Sequence, residues 1–361
     1  MITRADDYPI HQTADPVAVA GAGQRNFYDR YFFNGYARDG SVFFAVAMGQ
    51  YLNRDVADAA FNVVHRGRQH IVRASRRAGG ERMDTQVGPI AVEVLEPLRT
   101  LRVTVQPNAW DITADLVFSA RAAVIEEPRF HREFGGHVLM DSTRLTQHVE
   151  VRGRIRVGGD TIEVTPERYW GSRDRSWGIR PVGERDPDAP TPPPQFFWLW
   201  APLHFDDLCT HFDVNESANG ERWHEAGMVV PIGGEVEPAA RVDYRLEFQP
   251  GSRHARRAEI TLRRTGGETL QIGLRPLYNF YMVGLGYQHP VWGHGMRVGD
   301  NAVDGETWSL AEIDPTVPLH LHIQAVCEAT LGKQRGIGVL EQLILGPHER
   351  SGFRELLDMA R

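Results

Sequence analysis

Apolar and polar residues alternate with a period of two along much of the chain. Leu101, Val103 and Val105 are interleaved with Arg102 and Thr104, and Val149, Val151, Ile155 and Val157 punctuate residues 148–157. Val242, Tyr244, Leu246 and Phe248 do the same for 241–248. Such alternation is the pattern of half-buried strands. Apolar runs of strand composition cover 41–52 and 90–95, and further strands are expected at 111–124, 161–164, 258–262, 270–274, 308–313, 319–326 and 339–345. Asn34-Gly35, Asp39-Gly40 and Gly158-Gly159-Asp160 supply turn chemistry between them. Two stretches read as helical: Val56–Phe61, and Ser351–Met359 with Ser351 as N-cap and Phe353, Leu356 and Leu357 as its apolar set. Many short strands without long alternating helices predict an all-β chain built from sandwiches or barrels, and disfavour Rossmann and TIM architectures.

A length of 361 residues allows two cores. Residues 1–26 lack periodicity and are expected to run along the surface, followed by β domains over 27–165 and 166–361. The second carries a loop over 181–194, where six prolines remove strand donors. The net charge of −7 disfavours a nucleic-acid partner. Lys333 is the only lysine and no phosphate-gripping glycine loop is present, which makes lysine-based cofactors improbable. Cys209 and Cys327 are too few for a disulfide framework and are expected as reduced core thiols. Neither a signal peptide nor a transmembrane segment is visible, so the expected location is the cytoplasm.

The densest polar cluster is residues 169–180, in which Trp170, Trp177, Arg173, Asp174, Arg175 and Arg180 stand among Gly171 and Gly178. The glycines could let these side chains converge, as a ligand site or as a clamp between domains. If Arg173 and Arg175 both pointed at Asp174, its carboxyl would be a permanent anion. A second group joins Trp198, Trp200 and His204 to His211, Asp213 and His224, with aromatic walls and a few polar groups as in an apolar-ligand pocket. A third comprises Tyr278, Tyr281, Tyr287, His289, Trp292 and His294 in a glycine-rich stretch. His131, His137 and Asp141 form a weaker set. His320 and His322 are placed on one strand face, but no suitable partner follows, and no metal site is assigned. Gly21-Ala22-Gly23 opens no helix and is not read as a dinucleotide motif.

Gly171-Ser172-Arg173-Asp174-Arg175-Ser176-Trp177-Gly178 resembles the Gly-Tyr-His-Asp-His-Asn-aromatic-Gly motif of the carotenoid hydratases (hydroxyneurosporene synthases). It is more similar still to the Arg-Asp-His-Ser-Trp-Gly-x-Arg signature of uncharacterised bacterial members of that AttH-like superfamily. The resemblance extends over residues from about 27 to 347 and implies two tandem lipocalin-like domains. It also implies that Asp174 stands where the hydratases keep the aspartate that protonates an isoprenoid double bond. Ser172, Arg173 and Arg175 depart from the family's tyrosine and histidines.

Together these readings predict an all-β chain of two lipocalin-like barrels or sandwiches closed by a short C-terminal helix. They predict a cofactor-free hydratase, isomerase or cyclase acting by proton transfer on an apolar isoprenoid- or steroid-like molecule, with a non-catalytic lipophile carrier as the alternative. Asp174, His204 and His211 are the expected catalytic residues. Arg173, Trp177, Arg180, Trp198, Trp200, Tyr287, His289 and Trp292 are the expected ligand contacts.

Overall fold

The computed structural model describes residues 3–8, 10–185 and 189–361. Residues 186–188 of the predicted proline loop and residues 1, 2 and 9 of the N-terminal segment lie outside the described residues.

Nearly all regular structure is β. Thirteen strands of the first half of the chain and Asn301–Ser309 form a fourteen-stranded, curled sheet, and Phe196–His204 through Gln334–Leu345 form a closed eight-stranded barrel. Strand Asn301–Ser309 leaves the barrel sequence to pair with Arg68–Arg76 at the edge of the large sheet, tying the two bodies together. No helix among the described residues is long and apolar enough to cross a membrane.

The period-two pattern has a direct structural consequence. Phe33 and Tyr169 enter the core inside the large sheet, whereas their strand neighbours Phe32 and Trp170 face the barrel. Leu199, Leu203, Phe212 and Val214 fill the barrel interior, while Trp200 points outward to the same interface. The two shells therefore each have their own apolar core. A third, mixed layer lies between them, and the polar groups described below are set in it.

Several sequence expectations are corrected. Val56–Phe61 is not helical: it opens the strand Val56–His65, paired on both sides by Phe43–Tyr51 and Arg68–Arg76. Its six residues are too short to nucleate a helix against two available ladders. Ser351–Met359 is not a helix either. One 3-10 turn, Glu349–Ser351, is followed by irregular chain whose carbonyls at Glu355 and Asp358 accept from the Arg253 guanidinium. The strand Tyr169–Ile179, assigned from sequence to the second domain, lies inside the first sheet between Phe27–Ala37 and His137–Val157. The passage from sheet to barrel falls between Ile179 and Phe196.

Candidate active site between the sheet and the barrel

The aspartate motif is a regular strand, not a convergent loop. Gly171 is required because a Cβ there would sit 2.1 Å from the carbonyl oxygen of Asn34 on the neighbouring strand. Gly178 has φ +131 and would place a Cβ 2.2 Å from the Asp141 carbonyl oxygen. With strand geometry kept between the glycines, side chains alternate. Arg173 projects away from Asp174 and donates to Gln147, with burial pushing its guanidinium down to about 10. Arg175 pairs with Asp29 and lies over the Tyr31 ring. Trp177 is on that same face, the one Tyr169 turns into the large sheet, and is 38% exposed. Neither arginine pins Asp174, and Trp177 does not join it. This corrects the expected roles of Arg173 and Trp177, and the cause is the two-residue period itself.

Asp174 faces the barrel between Phe32 and Thr146, its cross-strand partners, both buried. It retains partial accessibility amid this buried surround and makes no direct hydrogen bond among the described residues. Burial raises its carboxyl to about 7, the Arg144 and Arg30 charges opposing and Glu127 and Glu341 adding to the rise. The group is thus shielded from bulk water but not sealed by partners.

Around it the interface is dense with charge. Arg144 bridges Glu127 at 2.5 Å and Asp213 at 2.6 Å, and both carboxylates are fully buried. Trp198 Nε1 donates to Asp213 (2.9 Å) and Trp200 Nε1 reaches Glu127 at 3.5 Å. Both indoles and Phe130 flank the Arg144 guanidinium. The Arg144 charge holds Asp213 well below the usual carboxylate range despite burial.

Opposite this cluster, His322 Nε2 donates to Glu341 at 2.6 Å, and Gln324 also donates to Glu341. His322 Nδ1 is buried without a hydrogen-bond partner. Its ring packs edge-on against Trp198 and Tyr287. A ring nitrogen oriented by a carboxylate, with the other nitrogen open, is the arrangement of a general base. The sequence places His320 beside His322, but Pro318–His320 forms a 3-10 turn. His320 therefore binds the Asp314 carbonyl oxygen away from the site, and the expected shared strand face does not exist.

The other expected residues are distributed as follows. Tyr287 lies in the cluster, with Arg30 over its ring at 4.7 Å and Arg180 at 6.0 Å. His211 is buried against Trp200, its Nε2 3.4 Å from Glu127, with burial lowering its imidazole. His204 stands apart. Its Nε2 donates to the Gly171 carbonyl oxygen, its Nδ1 faces Arg121 at 3.2 Å, and burial keeps it neutral. That corrects its expected part in moving a proton, since both nitrogens are committed to structure. His289 and Trp292 pack on Arg73, which pairs with Asp304 and Glu306 at the edge of the large sheet, and do not join Asp174.

Two donor triads have metal-like spacing: His148–His204–Cys209 and Glu127–His211–Asp213. Each already contains an arginine. Arg121 lies 3.2 Å from both His204 Nδ1 and Cys209 Sγ, and Arg144 occupies the second. A metal would have to displace a guanidinium in either, so neither donor set fits one as it stands. Two surface clefts at the hairpin turns of the barrel, one beside Glu237 and Arg264 and the other beside Leu208 and Gln334, share no residue with the interface.

Arg30, Glu127, Arg144 and the His322–Glu341 pair were missed by sequence reasoning. A signal was present: Arg30 directly precedes the aromatic run Tyr31-Phe32-Phe33, and Glu341 directly follows Val339-Leu340.

Comparison with known proteins places the fold. A family profile described as a family of unknown function (DUF8625) matches residues 2–354. No curated protein matches the sequence. Among solved structures, a protein designated AttH from Nitrosomonas europaea superposes with TM-score 0.56 at 12% identity, covering 93% of this chain and 98% of that one. Kievitone hydratase from Nectria haematococca gives TM-score 0.53 at 11% identity, covering 87% and 88%. CghA in complex with Sch210972 gives 0.52 at 13% identity, covering 89% of each. At these identities the likeness is one of fold, consistent with tandem lipocalin-like barrels.

Proposed function

We propose that the chain, which belongs to this family of unknown function, is a proton-transfer enzyme of the hydratase, isomerase or cyclase type, working on a largely apolar small molecule between the sheet and the barrel. The observation that carries the reading is Asp174. Glu127, Asp213 and Glu341 are bonded to arginine, histidine or indole and Asp58 to the Gly295 N–H, whereas among these described carboxyls Asp174 keeps an unpartnered, partly accessible group. A general acid is most effective with a pKa near the working pH, and burial brings Asp174 there. His322, aligned by Glu341, supplies the complementary base, and the rings of Trp198 and Tyr287 provide apolar wall beside it. Acid and base both come from the chain, so the step needs no cofactor. The hydratase named among the structures of similar fold agrees with this reaction class.

Incubation of the protein with isoprenoid, steroid and phenylpropanoid alkenes in deuterated water tests the reading. Deuterium at carbon is expected in the turned-over substrate. Binding without deuterium across the panel would identify a carrier instead. His322→Ala is expected to lower kcat by roughly 10²–10⁴-fold. Glu341→Gln should also lower kcat while leaving KM within a few fold, because it disturbs the orientation of the base and not the pocket wall. Steady-state kinetics with the substrate so found checks both.

A further inference from the structure

Arg30 is one of the largest fully buried side chains, at 1% exposure. A guanidinium in that position is ordinarily paired with a carboxylate. Here neither Arg30 nor Arg180 has a carboxylate oxygen within salt-bridge distance among the described residues. Both donate instead to one neutral ring: Arg30 Nη1 and Arg180 Nη2 each lie 3.2 Å from His294 Nδ1. His294 Nε2 lies 2.9 Å from both the Leu285 carbonyl oxygen and Arg30 Nη2, and burial with the two cations holds the imidazole well below its ordinary range. The Nε atoms of both arginines are buried without any acceptor. Arg144, by contrast, is neutralised by two carboxylates. The Arg30–Arg180 pair therefore has no directly bonded carboxylate among the described residues, the Asp58 and Asp174 charges acting on it only at longer range, and it keeps unspent Nε donors.

This pair borders the proposed acid. Arg30 is the cross-strand partner of Ser176, which shares the face of Asp174. Its guanidinium covers the ring of Tyr287, whose opposite neighbour is His322. Two arginines without a bonded carboxylate beside the acid disfavour a free carbocation, since like charge in a low-dielectric site is costly. They favour a reaction in which electrons flow toward an oxygen.

We infer that the substrate carries a carboxylate or enolisable carbonyl conjugated to its reacting double bond, and that Arg30 and Arg180 bind that oxygen. This rests on the proton-transfer reading above and specifies it. In hydration, His322 Nδ1 takes a proton from water and the water oxygen bonds to the β-carbon. The double-bond electrons move to the carbonyl oxygen as an enolate (an enediolate for a carboxylate) held by the two guanidiniums. The enolate then re-forms its C=O as the Asp174 O–H bond breaks and its proton joins the α-carbon. One water is added. The Asp174 carboxylate and the protonated His322 return to their starting forms by exchanging one proton through solvent.

Calorimetric titration with matched pairs tests this: cinnamate against cinnamyl alcohol, and farnesoate against farnesol. Each carboxylate is expected to bind roughly tenfold or more tightly than its alcohol. Arg180→Met should bring the two within about threefold while the affinity for the alcohol is retained. Arg30→Met is the second variant, and circular dichroism verifies that each is folded. Equal binding of acid and alcohol, binding of neither in both pairs, or a preference that survives in both folded variants would overturn the assignment. The deuterium experiment is independent of it. Incorporation into a neutral, unconjugated alkene would leave Asp174 as the acid and remove the oxyanion site.

Discussion

Asp174→Asn is expected to make the protein more stable at pH 8 and catalytically inert. Burial raises the folded carboxyl to about 7, against the ordinary carboxylate value near 4 in the unfolded chain. Between those values the folded state holds a proton that the unfolded state has lost. Stability therefore falls as pH rises through that window, and the full penalty is present above pH 7. An amide cannot ionise, so the substitution removes the penalty. The gain should be on the order of 2–4 kcal/mol at pH 8 and close to nil at pH 4. Thermal denaturation of both proteins across pH 4–9 measures it. A clamp residue would behave oppositely, because losing one member of a buried ion pair costs several kcal/mol. Destabilisation of the Asn variant at pH 8 would thus sink the description of Asp174 as an unpartnered acid. The same ionisation sets the activity profile: turnover by the wild type should decline as pH rises past about 7, when the acid is lost.

Arg144→Met should be the most damaging single change at the interface. It leaves the Glu127 and Asp213 carboxylates, both at 0% side-chain exposure, without their shared counter-charge. Removing one partner of a buried pair costs about 3–5 kcal/mol, and here two anions lose the same cation. The hydrogen bonds from Thr146 and Trp198 remain but carry no full charge. The sign of the pH effect follows from Asp213, whose folded pKa is depressed in the wild type, so its contribution is intact down to about pH 4 and is lost only below that. In the variant burial is no longer opposed by Arg144 and raises the carboxyl, so the penalty of the buried anion disappears as pH falls from neutral to the unfolded value near 4. The gap between wild type and variant should therefore be widest at neutral and alkaline pH and narrow toward pH 4. Denaturant titration at pH 8 and pH 4 checks this; a gap independent of pH would mean that the loss is one of packing. Because the Arg144 charge also opposes the rise at Asp174, the alkaline limb of any residual activity should move to higher pH.

These effects arise from the layer between two shells, and that location explains why the site was only partly legible beforehand. Trp198, Trp200, Asp174 and Tyr287 announce themselves as aromatic and acidic residues in strand contexts. Glu127 follows a two-residue strand, Ile125–Glu126, and nothing local distinguishes it from the exposed carboxylates around it. Arg173 shows the converse: adjacency to Asp174 in the chain suggested an ion pair that strand geometry forbids.

The sequence by itself determined the all-β architecture, because period-two alternation commits each strand to one inner and one outer face regardless of partner. That Asp174 and Arg173 face opposite ways emerged only when the segment proved to be a paired strand. Tertiary structure alone decided which outer faces meet. His322 and Glu341 come to Asp174 from the other shell across more than a hundred residues of chain, Arg144 comes from the neighbouring strand, and a carboxyl's proton affinity depends on the charges and solvent that such meetings assemble. Tertiary structure also decided against both expected helices, since ladder partners and a buried arginine took the backbone groups that helical turns would have used.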